Sequence, residues 1–404
     1  MKYLTLIPAA LLIATQAVFA ESPLSARGYG KQIDASSVRA SGMGLAAIST
    51  PDSLSLDLLT PANWGGLSKT RFGFGTFIGR TTSTDGSGND ASDEGGITGA
   101  GLAIHIRKGI FFGMTLTPYT LLEYKWRSTD TLDWATTLTR RQGDGGLSQA
   151  LIGVSFPVRD NLRIGVAARP IFGKVERLWA VSFTETAANN ASQTISDRYA
   201  GMGWSLSGSW TDGSWTGGLL LQTPLDADVE RQAVVGAGGV AQVDTTVMLT
   251  EEIGLPAEVT LGVGRRMGEH LFSSELAWRR WGAVTNTAAT GGTLDNATRI
   301  SAGWEWAPAN GPLDPFWRRL VYRAGIYTND FYALSQSGHQ ARKTALTLGL
   351  GVPYAANKSR LDIAFELAMT GDKAKDGAEE TYIGVTIGFN HSETWFVGRK
   401  ERGK

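Results

Sequence analysis

Between Thr70 and Phe389, fourteen segments alternate apolar residues with small or polar ones, and the connections between them alternate long and short. The last segment shows the pattern clearly. Thr381, Ile383, Val385, Ile387 and Phe389 share one parity, while Tyr382, Gly384, Thr386 and Gly388 share the other. Side chains on a β-strand point to opposite faces with period two. One such run fits any half-buried sheet. A soluble sandwich or propeller also alternates, but neither needs connections that switch length at every step. The whole series predicts an all-β fold, a fourteen-stranded antiparallel transmembrane β-barrel, in which an even strand count returns both termini to the periplasmic side.

The apolar parity is heavily aliphatic and aromatic. Phe72, Phe74 and Ile78 open the series; Met202, Trp204, Leu206 and Trp210 stand midway; Leu346, Leu348, Leu350 and Val352 come late. Trp210 and Trp215 flank a short turn, and Trp304 and Trp306 sit near a strand end, as aromatic girdles do. Short turns are expected at 108–109, 159–161, 211–213, 268–270 and 355–359, with 310–316 a longer one on the same side. Long outer loops are expected at 81–96, 119–146, 185–196, 225–255, 284–296, 329–342 and 371–379. Two of these exceed about 25 residues, beyond ordinary loop lengths, so Thr131 to Arg140 and Gln242 to Leu249 are expected as strand extensions above the membrane.

Outside the barrel, Met1 to Ala20 has the charge, apolar run and small residues of a secretory signal, cleaved after Ala20. No later stretch is apolar for the 18 residues a membrane helix needs, so any crossing is by strands. Residues 21–67 lack the strand pattern and are expected to form a plug or hatch. A short helix is expected within Ser37 to Ala47, with Pro61 as a breaker. The barrel would span 68–389, and 390–404 would form a basic periplasmic tail. A formal net charge of +0 argues against nucleic-acid binding, which needs a basic face. The absence of cysteine excludes thiolate metal sites and disulfides.

The other parity must face the lumen, because a charge at the lipid midplane costs roughly 2–4 kcal/mol. It carries many glycines, which leave room inside. It also carries His105, Arg163, Arg169, Glu275, Arg279, Arg299, Glu305, Arg323, Lys343, Arg360, Asp362 and Glu366. These charges suit a lattice that braces the wall and grips the N-terminal segment, or else a polar constriction or ligand site. None of the four histidines has a Glu or His at metalloprotease spacing, and no nucleophile, base and orienting acid stand out. Neither an enzyme, a metal nor another cofactor is expected.

Ser41-Gly42-Met43-Gly44-Leu45-Ala46, followed by Pro61-Ala62, resembles the opening of the FadL-like outer-membrane proteins. Thr60 stands where that family has Asn, and Thr cannot reproduce the amide's paired donor and acceptor. Thr117 to Thr120, Gly143 to Leu147 leading into Gly153, Leu162 to Gly173, Leu255-Pro256 through Trp281, and the tail at Glu393 to Phe396 resemble a branch that includes the secretion shuttle PorV. The resemblance covers most of the mature chain. It implies a hatch inside a fourteen-strand barrel, transport of long-chain fatty acids or aromatic hydrocarbons, and a kinked wall strand that opens a lateral gap. The ligand and gate candidates are then Ser41, Gly42, Gly44, Thr60, Pro61, Ala62, Pro118, Tyr119, Gly143, Gly145 and Gly146. Pro118 either kinks its strand or ends it at the outer rim.

The expected function is passive uptake of hydrophobic small molecules by a monomeric barrel in the outer membrane, with membrane lipid around it. The alternatives are a PorV-type barrel that binds a protein partner at its outer loops or periplasmic tail, and a general porin with a free lumen.

Overall fold

A computed structural model describes residues 23–395 apart from 35, 87, 108, 133–134, 185–189, 238–248, 285–292, 309–313, 336 and 355–358. The expected signal peptide and most of the basic tail therefore lie outside the described residues.

Fourteen strands form one closed antiparallel sheet. They are β1 (Thr70–Asp85), β2 (Asn89–Arg107), β3 (Ile110–Leu121 and Tyr124–Leu132), β4 (Ala135–Arg159) and β5 (Leu162–Phe183). Then come β6 (Ala191–Asp212), β7 (Trp215–Gln222 and Leu225–Ala237), β8 (Leu249–Leu255 and Glu258–Met267), β9 (His270–Arg279) and β10 (Ala297–Trp306). The set ends with β11 (Val321–Asp330), β12 (Arg342–Tyr354), β13 (Ser359–Thr370) and β14 (Ala378–Glu393). Each pairs with its chain neighbours, and β14 closes on β1 with Phe389 opposite Phe74. Closure leaves no edge to meet lipid, the condition for crossing a bilayer with strands.

The apolar parity faces out as expected. Ile78, Leu348 and Ile383 are each more than 60% exposed, an exposure that makes sense against hydrocarbon and not against water. At the end of the barrel that carries the short turns His270 stacks with Trp304 and Trp306, and Trp306 with Tyr322.

Three expectations are corrected. The segments at 81–96 and 119–146 are not loops, and neither is most of 225–255, where Leu225–Ala237 and Leu249–Leu255 are strand within β7 and β8. The β1 and β2 ladder runs up to Thr84 opposite Asn89, and β3 and β4 run to Leu132 opposite Ala135. Their Thr-rich sequences support cross-strand pairing as readily as loop structure, and the expected extension at Thr131 to Arg140 belongs to this tall hairpin. The barrel does not stop at Phe389: β14 continues to Glu393, because Thr70 to Phe72 of β1 need backbone partners. Pro118 does not end β3, which continues through Leu121. Of the extension expected at Gln242 to Leu249, all but Leu249 falls outside the described residues.

Candidate functional site

The N-terminal segment lies inside the barrel. Ser37 caps α1 (Val38–Ser41), its side chain accepting from the Ala40 amide. This short helix lies within the span expected, and Gly44 at φ 62° and Leu45 at φ 67° turn the chain into the left-handed region just after it. Leu45 is the one non-glycine residue with positive φ among those described, and such a backbone is held only where its surroundings enforce it. Buried Tyr327, Ala345 and Ala368 of the wall pack against it. Pro61 does not break a helix. It starts α2 (Pro61–Trp64), whose first turn has no use for its missing N–H.

The inward glycines of the wall make room for this plug. A β-carbon at Gly325 would lie 2.1 Å from the Gly44 nitrogen, and one at Gly165 would lie 2.3 Å from the Ala62 nitrogen. One at Gly113 would lie 2.5 Å from the Trp64 ring. Backbone thus meets backbone across much of the lumen, and Met43, Ala46, Ala62 and Trp64 have no exposed surface.

Charge fixes the plug in two places. Asp34 accepts from Arg279, from Arg299 at 2.7 Å and from the Asn329 amide at 2.5 Å. Arg39 forks onto Glu305 at 2.9 and 3.0 Å and lies 3.2 Å from Asp52, which in turn holds Arg360 at 2.5 Å. Glu275 accepts the backbone N–H groups of Ala47 and Ile48, each at 3.1 Å. The wall residues also pair with one another: Glu258 with Arg279, Glu275 with Arg299, Glu305 with Arg323, and Asp362 with Arg323 and Arg360. The wall is therefore charge-balanced without the plug, so withdrawing the plug would strand no wall charge.

The wall has a side seam. Pairing between β2 and β3 ends at Ala100 opposite Leu116. Above that level each strand keeps only its other neighbour within the wall. Both strands bulge where they part. In β2 the register slips at Thr98, between Gly99 opposite Gly75 and Ile97 opposite Thr76. In β3 it slips at Tyr119, between Pro118 and Thr120. A bulge bends its strand and raises the local twist. In β3 it also shifts the buried set from Phe111, Thr115 and Thr117 to Thr120 and Leu122.

The plug fills the abandoned edge of β3. Lys31 and Gln32 pair antiparallel with Leu121 and Thr120, and the Ile33 N–H donates to the Tyr119 carbonyl at 2.9 Å. Lower in sequence, the Ser25 hydroxyl donates to the Glu123 carbonyl at 2.5 Å. From the barrel end opposite His270, Trp281 and Tyr332 stack with ring centroids 4.0 Å apart and reach the same leg. The Tyr332 hydroxyl donates to the Gly30 carbonyl at 2.7 Å, and the Trp281 indole donates to Gln32 at 3.2 Å. Behind the seam lies a cavity of about 150 Å³, bounded by the plug at Lys31 and Leu45 and by Phe77, Glu94, Tyr327 and Tyr382 of the wall. The lining is mixed, with Asp34, Lys343 and Glu366 beside those residues, and the volume is that of a benzene-sized molecule.

The expected gate residues fall into two groups. Ser41, Gly42, Gly44, Thr60, Pro61 and Ala62 all lie in the plug. The Thr60 side chain makes no capping bond, and the neighbouring Asn63 amide bonds Ile48 and Asp57 instead. Pro118 and Tyr119 stand at the seam. Gly143, Gly145 and Gly146 stand on β4 just behind it, and Gly145 at φ 110° supplies the carbonyl that accepts the Leu122 N–H at 2.8 Å.

Of the expected lumen charges, Glu275, Arg279, Arg299, Glu305, Arg323, Arg360 and Asp362 join the plug networks, and Lys343 pairs with Glu366 at 2.5 Å beside the cavity. The other three do not join. His105 packs its ring on Phe111, and Arg163 abuts Gly65 and Gly66 of the plug with no ion pair among the described residues. Arg169 bonds Gln222 and the Thr223 carbonyl at 2.8 Å, where Pro224 and Pro256 interrupt the β7 and β8 ladder. Asp34, Arg39, Asp52 and Glu258 were not anticipated. The first three lie in the segment without strand pattern, where parity says nothing about direction; Glu258 has the inward parity of β8 and was legible.

A family model described as BamG matches residues 2–401. No curated protein matches the chain. Among solved structures, it is similar to the P. putida toluene transporter TodX at 14% identity and a TM-score of 0.61, over 91% of this chain and 99% of that one. It is similar to the CymD monoaromatic hydrocarbon channel at 11% identity and 0.58, over 90% and 99%. A Pseudomonas aeruginosa FadL homologue matches at 12% identity and 0.58, over 90% and 98%. At these identities the likeness is one of fold.

Proposed function

The chain belongs to the BamG family, and from that premise and its FadL-like fold we propose a passive outer-membrane conduit for hydrophobic small molecules such as aromatic hydrocarbons or long-chain fatty acids. It acts as a single barrel in lipid, exported by a leader at 1–20, with residues 21–67 as the hatch. The observation that carries this reading is the seam: a wall ladder opens between β2 and β3, and a strand of the N-terminal segment fills the opening. A molecule dissolved in the membrane reaches the cavity behind the seam once Lys31 to Ile33 leave the edge of β3. Plug withdrawal then leaves a balanced wall, which keeps the cost of opening low compared with exposing unpaired buried charge. The concentration gradient drives passage.

Because the chain has no cysteine, the test is direct. Gln32→Cys with Thr120→Cys places a disulfide across paired positions of the plug strand and β3. Liposomes carrying the reduced protein should take up labelled toluene or fatty acid above protein-free vesicles, and oxidation should bring uptake to background. Equal uptake in both forms would overturn the route, and background uptake in both would overturn the conduit.

The second reading is a barrel that binds a protein partner. It is favoured by the packing of the outer lumen, where Trp281, Tyr332, Leu225 and Leu255 are buried in one apolar cluster with Tyr29 of the plug. That reading predicts background uptake in both forms and stable co-purification of a partner. A general porin requires a free lumen, and the plug occupies it.

A further inference from the structure

The cavity behind the seam carries a charge pattern that passage of hydrocarbons does not require. Glu94 is only 8% exposed, and among the described residues its carboxylate has one partner, the Thr81 hydroxyl. No described cation pairs with it. Asn329 Oδ1 and Thr98 Oγ1 are buried at the same cavity without a hydrogen bond. Unused acceptors therefore gather there, and a carboxylate buried without a cation is among the costliest arrangements in a protein interior.

The aromatic walls suit a cation too, since ring faces attract positive charge. Two lysines already use them. Lys343 Nζ lies 5.3 Å from the Tyr382 ring centre and 5.5 Å from that of Tyr327, and Glu366 neutralises it at 2.5 Å. Lys31 Nζ lies 5.7 Å over the same Tyr382 ring, with no carboxylate at ion-pair distance among the described residues.

We propose that this cavity is a binding site for a small organic ammonium with an apolar body, an arylalkylamine being the simplest form. Its N–H groups bond Glu94 and the Asn329 carbonyl oxygen, and its charge takes the place over Tyr382 that Lys31 now holds. Lys31 is then a tethered stand-in for the ligand. It sits on the plug strand paired with β3, so a bound ammonium competes with it and repels it, favouring release of that strand. This deepens the conduit reading by naming a substrate class, but the binding itself does not depend on transport.

The test uses the full chain, purified in detergent, and isothermal titration with 2-phenylethylammonium, the neutral propylbenzene and the anionic 3-phenylpropionate. The ammonium should bind at least about tenfold more tightly than either, the scale of one charge-assisted hydrogen bond. Glu94→Gln should remove that preference. Lys31→Met should strengthen ammonium binding several-fold by removing the internal competitor, a gain that misfolding cannot produce. Equal binding of the three probes, no binding of the ammonium, or a Lys31→Met variant that binds no more tightly would each overturn the proposal. Hydrocarbon uptake without ammonium binding defeats this site and leaves the conduit standing; the reverse defeats the conduit alone.

Discussion

Replacing Asp34 by asparagine should free the plug's leg from the seam while the barrel stays folded. Asp34 holds Arg279, Arg299 and the Asn329 amide, and a hydrogen bond to a charged group contributes about 1.5–3 kcal/mol. The full loss of three does not follow, because Arg279 keeps Glu258 and Arg299 keeps Glu275. The cluster also holds three carboxylates (Asp34, Glu258, Glu275) against two arginines (Arg279, Arg299), so removing one carboxylate relieves like-charge repulsion. The net loss should be about 2–3 kcal/mol, which is roughly 30- to 140-fold in the opening equilibrium. The Ile33 amide reports it, since its bond to the Tyr119 carbonyl at 2.9 Å must break for exchange. Hydrogen–deuterium exchange over residues 29–34 should accelerate by that factor. A wall peptide around Leu348, paired with Phe365, should exchange as in the parent. Unchanged exchange at Ile33 would refute the idea that Asp34 secures the leg. Equal acceleration at Ile33 and Leu348 would show that Asp34 stabilises the whole barrel instead.

Gly325→Val should expel the plug turn at Met43 and Gly44, since even a β-carbon there would lie 2.1 Å from the Gly44 nitrogen; limited proteolysis should then cut the plug while the barrel remains resistant. Leu348→Arg puts a charge on a side chain that is 62% exposed on the lipid face. It should lower the stability of the bilayer-folded barrel by about 2–4 kcal/mol, read by denaturant titration in vesicles, whereas a soluble protein would tolerate it.

Parity made the barrel legible because the rule is local. Whether Leu346 or Thr347 faces lipid depends only on the alternation along β12, and all fourteen strands follow from that rule and an outer set with few charges. The inward charges could be named for the same reason, yet their partners could not. Arg279 reads as lumenal, but nothing along the chain says that it meets Asp34, which is 245 residues away. Bulges are less visible still. Thr98 and Tyr119 each break the parity by a single residue, an irregularity that a pattern of alternation absorbs as noise, though Pro118 marked the right place.

Sequence by itself therefore determined the architecture: a closed fourteen-stranded wall, its lipid and lumen faces, and an N-terminal segment of another kind. Those are properties of strand geometry and of solvent, and every residue carries its share of the signal. Tertiary structure alone decided where the segment lodges, which wall charges it engages, and that its strand seals the gap between β2 and β3. Such contacts join residues far apart in the chain, and which of many possible backbone edges and carboxylates is chosen depends on the fit of the closed barrel as a whole.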